Sequence, residues 1–326
     1  MKHITIVVPE CEINLGIIGG TFEILNGANE FWQKTGNKPG VVIQIAGYVP
    51  ELKTHQGYFS IHPLDIRKIE RTDLLIIPAI FEDYGKAVRK NKALINWIGH
   101  QYKCGAEIAS ICSGAFFLAA TGLLKERSCS MHWNAVEEFR RMFPNVKPTD
   151  KVITDQNGIY TNGGGYSFLN LMLYLIEKFF DRATAVLCSK VFQIDMERTT
   201  QSQFSIFHIQ KGHGDELIGK AQTYIEKNLY RKISFEKLAS QFAISRRNFD
   251  RRFIKATGNT PMEYLQRIKM ETAKQELEKG RKTVCEIMND VGYTDDKAFR
   301  EVFKRITGLS PVDYRNKFNK ESMGSW

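Results

Sequence analysis

The sequence predicts an α/β N-terminal domain, a mostly parallel sheet with helices on both faces, followed by an all-α C-terminal domain with two helix-turn-helix units. Three observations carry this. Up to about residue 190, short β-branched runs alternate with segments of helical apolar spacing, as crossover-connected parallel strands require. Beyond about residue 216 no strand pattern is needed. Within that second part, residues 249–264 recur 50 positions later, with matches at Phe249/Phe299, Phe253/Phe303, Thr257/Thr307, Gly258/Gly308, Pro261/Pro311 and Tyr264/Tyr314.

In chain order, Ile4–Val8, Val41–Ile45, Leu74–Ile77 and Ile108–Ile111 read as strands, their nearly unbroken apolar runs being those of buried parallel sheet. Phe22–Lys34, Lys86–Tyr102, Gly114–Leu124 and Asn134–Phe143 have helical spacing. Val152–Thr154 and Ile159–Thr161 flank an Asn157-Gly158 turn and read as a hairpin. Gly163–Gly165 is read as a turn, lacking the Lys-Ser/Thr of a phosphate loop, and leads into an apolar helix, Tyr166–Phe180, expected to be packed on both sides. Periodicity fades between Asp195 and Glu216. The expected divisions are a domain over 1–195, a linker over 196–216, a helical domain over 217–316 and a tail over 317–326. In the helical domain, Ser234, Ser245, Thr260, Thr283 and Asp295 are start signals and Gly258, Gly280 and Gly308 are stops.

Composition bounds the function. The 326 residues suit two domains, and 43% hydrophobic with 25% charged residues argues against a disordered, collagenous or membrane-embedded chain. No apolar run approaches the roughly 20 residues of a membrane span, and the opening stretch breaks at Pro9, Glu10 and Glu12, so neither membrane nor signal peptide is expected and a cytoplasmic address follows. Six scattered cysteines suggest reduced thiols and no metal knuckle, and no cofactor is called for. Charge is uneven: residues 1–216 hold 23 Lys and Arg against 22 Asp and Glu, residues 217–326 hold 23 against 14. A basic excess confined to one end is the footprint of a polyanion partner, although a solvated surface has the same composition.

A short helix, a tight turn and a second helix form the unit whose second helix enters the major groove. Here Ser234–Phe242 and Thr283–Val291 are the short helices. The exposed starts of the second helices offer Arg246, Arg247, Asp250 and Arg251 in one unit, and Asp296, Lys297, Arg300 and Glu301 in the other, as base readers. Arg252, Lys255, Lys304 and Arg305 suit phosphates. The connecting helix, about Pro261–Lys279, would hold the units at a fixed separation, and if that matches one turn of double-stranded DNA, about 34 Å, both second helices can enter successive major grooves on one face.

Residues 217–316 resemble the AraC-type DNA-binding domain through Ala239, Ser245-Arg246-Arg247-Asn248-Phe249, Thr257-Gly258, Pro261 and Tyr264, and through Val291-Gly292-Tyr293-Thr294-Asp295, Gly308-Leu309-Ser310-Pro311 and Tyr314-Arg315. The resemblance implies a sequence-specific regulator with a separate sensing or dimerising domain.

In the first domain, Glu107–Phe116 reads as strand, sharp turn at Cys112 and helix, the shape of a nucleophile elbow, with the helix start expected to make Cys112 more acidic. A small buried residue at a tight junction is the alternative. The surroundings resemble the PfpI/ThiJ-like branch of the class I glutamine amidotransferase fold, a flavodoxin-like arrangement, and the whole chain resembles the GlxA-type regulators through Ile111–Ala115, His132-Trp133 and Tyr160–Gly165. Against that family, Ser113 stands where hydrolases carry a histidine, Ile17 at the acid position, and Pro78-Ala79-Ile80 where glycines help form an oxyanion hole. His132 is the one substitute base, or else a pocket wall; Trp133 offers an apolar wall, and Tyr166 could reach the same sheet edge or simply pack. A non-catalytic domain binding a small-molecule effector and forming a homodimer is therefore expected, the alternative being an amidase- or glyoxalase-like enzyme using Cys112. Oxidation sensing at Cys112 would require its exposure.

Overall fold

Ile4, Ile6 and Val7 are wholly enclosed, so β1 (Lys2–Val8) must be covered on both faces. The computed structural model describes residues 1–36, 40–196 and 198–319, which fall into two units divided after Gln201. After β1 the first unit continues with α1 (Leu15–Lys34), β2 (Val41–Gly47), β3 (Leu52–Thr54), β4 (Phe59–Ile61), β5 (Leu64–Asp65), β6 (Leu74–Ile77), α2 (Tyr84–Lys90), α3 (Lys92–Lys103), β7 (Glu107–Ile111) and α4 (Ala115–Ala120). Then come β8 (Ser128–Ser130), α5 (Val136–Met142), β9 (Lys147–Thr149), β10 (Ile153–Asp155), β11 (Ile159–Asn162), α6 (Phe168–Phe179) and α7 (Arg182–Val191). Seven strands form one sheet in the order β10-β11-β7-β6-β1-β2-β5, parallel throughout except for the β10–β11 hairpin.

Several boundaries differ from expectation. Helix α1 starts seven residues before Phe22, because the Asn14 side chain caps the Ile17 N–H and Ile17 and Ile18 turn into the core. The Lys86–Tyr102 helix is two helices, broken at buried Asn91, whose carboxamide accepts from Glu10 N–H (2.7 Å) and donates to Ala87 O (2.9 Å). Helix α4 ends at Ala120, before a turn with Gly122 at φ 82°. Helix α6 keeps an open stripe at Tyr174, Glu177 and Lys178 rather than being packed on both sides.

The second unit comprises α8 (Glu216–Lys227), α9 (Phe235–Gln241), α10 (Arg246–Thr257), α11 (Pro261–Lys279), α12 (Val284–Asp290), α13 (Asp296–Thr307) and α14 (Pro311–Phe318). Ser234, Ser245, Thr260, Thr283 and Asp295 each cap a helix with their side chains, and Gly258, Gly280 and Gly308 close helices at φ 68°, 70° and 77°. The stretch read as a linker is not free chain. Val152 N–H bonds Thr199 O and Gln201 N–H bonds Asp150 O in the first unit. Residues 202–215 lie on the second, where Phe207 stacks edge-on against Tyr264 and Phe204 against Phe318. Within the expected tail, Lys317 and Phe318 complete α14, and residues 320–326 lie outside the described ones.

The helices reveal how far the duplication extends. The buried stripe Ile218, Ala221, Gln222 and Ile225 of α8 returns 52 residues later as Met270, Ala273, Lys274 and Leu277 in the second half of α11. Tyr264 bonds Glu226 as Tyr314 bonds Glu278. Gln222 donates to Gln210 O (2.8 Å) and its counterpart Lys274 to Ser205 O (2.6 Å), so both repeats hold the 202–215 segment by the same helical position.

Candidate nucleic-acid interface and cysteine elbow

The core of each helix-turn-helix is aromatic. Phe249 and Phe253 are fully buried one helical turn apart on α10, with Phe253 edge-on to Tyr264; Phe299, Phe303 and Tyr314 repeat this. That fixes which faces of α10 and α13 remain outside. Arg247, Arg251, Lys255, Lys297, Arg300, Glu301, Lys304 and Arg305 are all exposed. Arg247, Lys255, Lys297 and Lys304 have no hydrogen bond or ion pair among the described residues, leaving their charges free for a partner.

Other sequence-predicted contacts are engaged within the chain. Arg246 is held by Glu236 and Asp250, at 2.8 Å each, over the Phe235 ring, so it and Asp250 brace the start of α10 against α9. Arg252, expected at phosphates, forks onto the Asp215 carboxylate at 3.0 and 2.7 Å, which offsets its charge. Asp215, which the sequence reading missed, also caps α8 through Ile218 N–H; hydrogen bonding from Arg252 holds its carboxyl below the usual range. Arg300 pairs with Asp296 (2.7 Å), Arg305 bonds Gln266 (2.7 Å) and Arg251 bonds Asn248 (3.1 Å). The Arg252–Asp215 and Arg246–Glu236 pairs have no local sequence signal because their partners lie outside α10, whereas Arg246–Asp250 and Arg300–Asp296 are each four apart on one helix.

In the first unit the expected turn is present: Cys112 has φ 57° between β7 and the helical turn leading into α4. Its chemistry differs from the expectation. Cys112 is only 8% exposed, and burial pushes its thiol pKa up, outweighing the N–H groups of Ser113, Gly165 and His132 and the Ser113 hydroxyl, which pull it down. None of these groups is a carboxylate. The acidic thiol expected from the helix start is therefore corrected to one whose pKa burial raises, and at 8% exposure Cys112 offers little of the access that oxidation sensing needs.

The neighbours follow suit. Ser113 donates its hydroxyl to Ile80 O (2.7 Å) and accepts from Ile80 N–H (2.9 Å), which uses one backbone donor of the Pro78-Ala79-Ile80 loop. Ile17 is buried at the start of α1. His132 reaches Cys112 through its backbone; its ring Nδ1 accepts from Asn134 N–H (3.3 Å), burial depresses its pKa, and it lies 5.0 Å from the half-buried Trp133 ring. Tyr166 is 85% exposed and does not pack. The role of Gly164 was missed: at φ 80° it lies so close to Cys112 that any Cβ would strike the Cys112 side chain, so this position requires glycine, whereas Gly163 faces Gln201 and Gly165 has open space beside it.

Comparison with known proteins bears on both units. Residues 56–178 match the DJ-1/PfpI family and residues 238–317 match a helix-turn-helix domain family. The chain is 24% identical over 222 residues to the HTH-type transcriptional regulator GbdR of Pseudomonas aeruginosa, covering 68% of this chain, and spans 60% of the length of that relative. It is 26% identical over 226 residues to the HTH-type transcriptional regulator GlxA of Rhizobium meliloti, covering 66% of this chain and 67% of that one. A solved structure of a candidate transcriptional regulator from Vibrio parahaemolyticus shares the fold, with a TM-score of 0.53 and 24% identity, over 58% of this chain and 98% of that one.

Proposed function

We propose, for a chain that joins a DJ-1/PfpI domain to an AraC-type helix-turn-helix domain, that it is a sequence-specific, DNA-binding transcriptional regulator whose first domain does no chemistry at Cys112. The observation that carries this is the duplicated helix-turn-helix with free cations on the outer faces of both second helices. Arg247, Arg251, Lys297 and Arg300 are the base readers in this reading, and Lys255, Lys304 and Arg305 bind phosphates. Helix α11, with 19 residues and so about 28 Å long, is the spacer between the two units.

The first domain binds a small-molecule effector at the carboxyl edge of its sheet, where open α/β folds place ligands, and joins two copies into a homodimer. Among the described residues no helix is long and apolar enough to cross a membrane, which agrees with a cytoplasmic regulator. The hydrolase reading is disfavoured by the burial of Cys112, which raises its thiol pKa, and by the hydrogen bonds it receives, which come from backbone amides and the Ser113 hydroxyl.

Substitution on DNA separates the roles. Arg247→Ala and Arg251→Ala should each weaken binding to the selected site by about 1–3 kcal/mol and scarcely change binding to random DNA; Lys304→Ala should weaken both alike and lower the salt slope by about one. Equal losses on both DNAs for the two arginines would refute their assignment as base readers.

A further inference from the structure

The two helix-turn-helix units are not identical copies. Helix α9 recurs as α12 after 49 residues, but α10 recurs as α13 after 50. Ile244 N–H bonds Ala239 O as Tyr293 N–H bonds Met288 O, still 49 apart, whereas the caps Ser245 and Asp295 are 50 apart. The extra residue is therefore Thr294, and the second turn is one residue longer.

That longer turn is gripped from two sides. Gly292, at φ 72°, lies against the backbone of Tyr230 in the first repeat, where a Cβ would stand 2.7 Å from the Tyr230 carbonyl oxygen. From α11 comes Lys269, only 7% exposed, whose ammonium donates to Gly292 O (3.2 Å) and lies 5.0 Å from the Tyr293 ring centre. In the first repeat the corresponding position of α8 is Leu217, so this cation belongs to the second unit alone. A buried ammonium is retained only where its hydrogen bonds and ring contact compensate for lost water.

We propose that Lys269 is a positioning residue: with Gly292 and Tyr230 it forms the joint that sets the second recognition helix against the first, and so fixes the spacing at which two blocks of bases are read. This rests on the DNA-binding reading above. Lys269 touches no DNA in this arrangement, being buried between helix and turn. Releasing the turn lets α13, which begins four residues beyond Gly292, shift on its core while α10 stays seated.

The test uses full-length wild type, Lys269→Met and Lys269→Arg on a selected two-block site and on variants whose blocks are moved apart or together by one base pair, read by footprinting and by affinity across salt concentrations. Lys269→Met should lose protection of the second block only, bind the parent site about tenfold more weakly, discriminate less among spacings, and keep the wild-type salt slope. Lys269→Arg, which retains a donor, should recover the second block. Equal weakening of both blocks with a smaller salt slope would make Lys269 a phosphate contact and overturn the joint. Wild-type footprints and spacing preference in Lys269→Met would overturn it as well, as would failure of the arginine variant to recover a block that methionine loses. A wild type that protects no site would overturn the DNA-binding reading, and the joint with it.

Discussion

Gly164→Ala is the substitution that most directly probes how the elbow is built. The residue has φ 80° and ψ −161°, a region that side chains avoid at a cost of about 1–3 kcal/mol. An added Cβ would stand 2.5 Å from Cys112 Sγ, nearer still to its Cβ, and 3.0 Å from its Cα. Cys112 is enclosed and held by surrounding amides, so it has little room to move, and overpacking adds about 1–3 kcal/mol. The expected cost is about 2–6 kcal/mol, or on the order of 10 °C in melting temperature for a unit of this size. Urea unfolding followed by tryptophan fluorescence is a suitable assay, since Trp32, Trp97 and Trp133 lie in the first unit. In a Cys112→Gly background, which also suits the φ of 57° at residue 112, the same substitution should cost only the backbone share, about 1–3 kcal/mol. A loss below about 0.5 kcal/mol, the range of neutral surface changes, or an equal loss in both backgrounds, would refute this reasoning.

Other consequences concern titration and reactivity. Iodoacetamide at neutral pH should label the exposed Cys104 and Cys285 and leave Cys112 unmodified until the chain unfolds; mass mapping that finds Cys112 first would contradict its burial. Burial raises the Cys11 and Cys129 thiols to about 12 and Cys188 to about 11 from an ordinary 9.0. Because the folded state holds these protons more tightly, their stabilisation is complete below pH 9 and is lost as pH rises toward 12, so urea midpoints should fall between pH 9 and 11; a flat profile would count against it. For Asp215 the sign reverses: its folded pKa is lowered from 3.8, so its contribution is present above that pH and fades below it. Asp215→Asn, which keeps a capping oxygen, should lower the unfolding midpoint at pH 7 by an amount that shrinks as pH falls below 3.8. A constant difference would assign the effect to the cap and not to the Arg252 pair.

Features encoded by adjacent residues were legible. The five polar caps and three closing glycines of the helical unit follow from local hydrogen bonding and left-handed backbone, and all eight stand where the sequence places them. The uncharged strands were legible for the same reason, since burial on both faces leaves no alternation to misread. What escaped depends on residues far apart. Gly164 meets Cys112 across the β7–β11 pair, Asp215 finds Arg252 from another helix, and Lys269 meets Gly292 only after α12 folds back on α11. The early start of α1 was hidden differently: Gly16, Gly19 and Gly20 dilute its helical signal, although Asn14 is a good cap. Helix starts favour thiolates as a rule, and that rule fails at Cys112 because enclosure outweighs a few aligned amides.

The central claim, that two helix-turn-helix units read two blocks of bases together, is tested most directly by selecting binding sites from random duplex DNA with the full-length protein and footprinting the enriched sites at physiological salt. The account expects one motif with two protected blocks about one helical turn, roughly 34 Å, apart, the second block weakening on Lys297→Ala and the first on Arg247→Ala. Salt-sensitive binding without an enriched motif would contradict it and leave the helical unit a general DNA anchor.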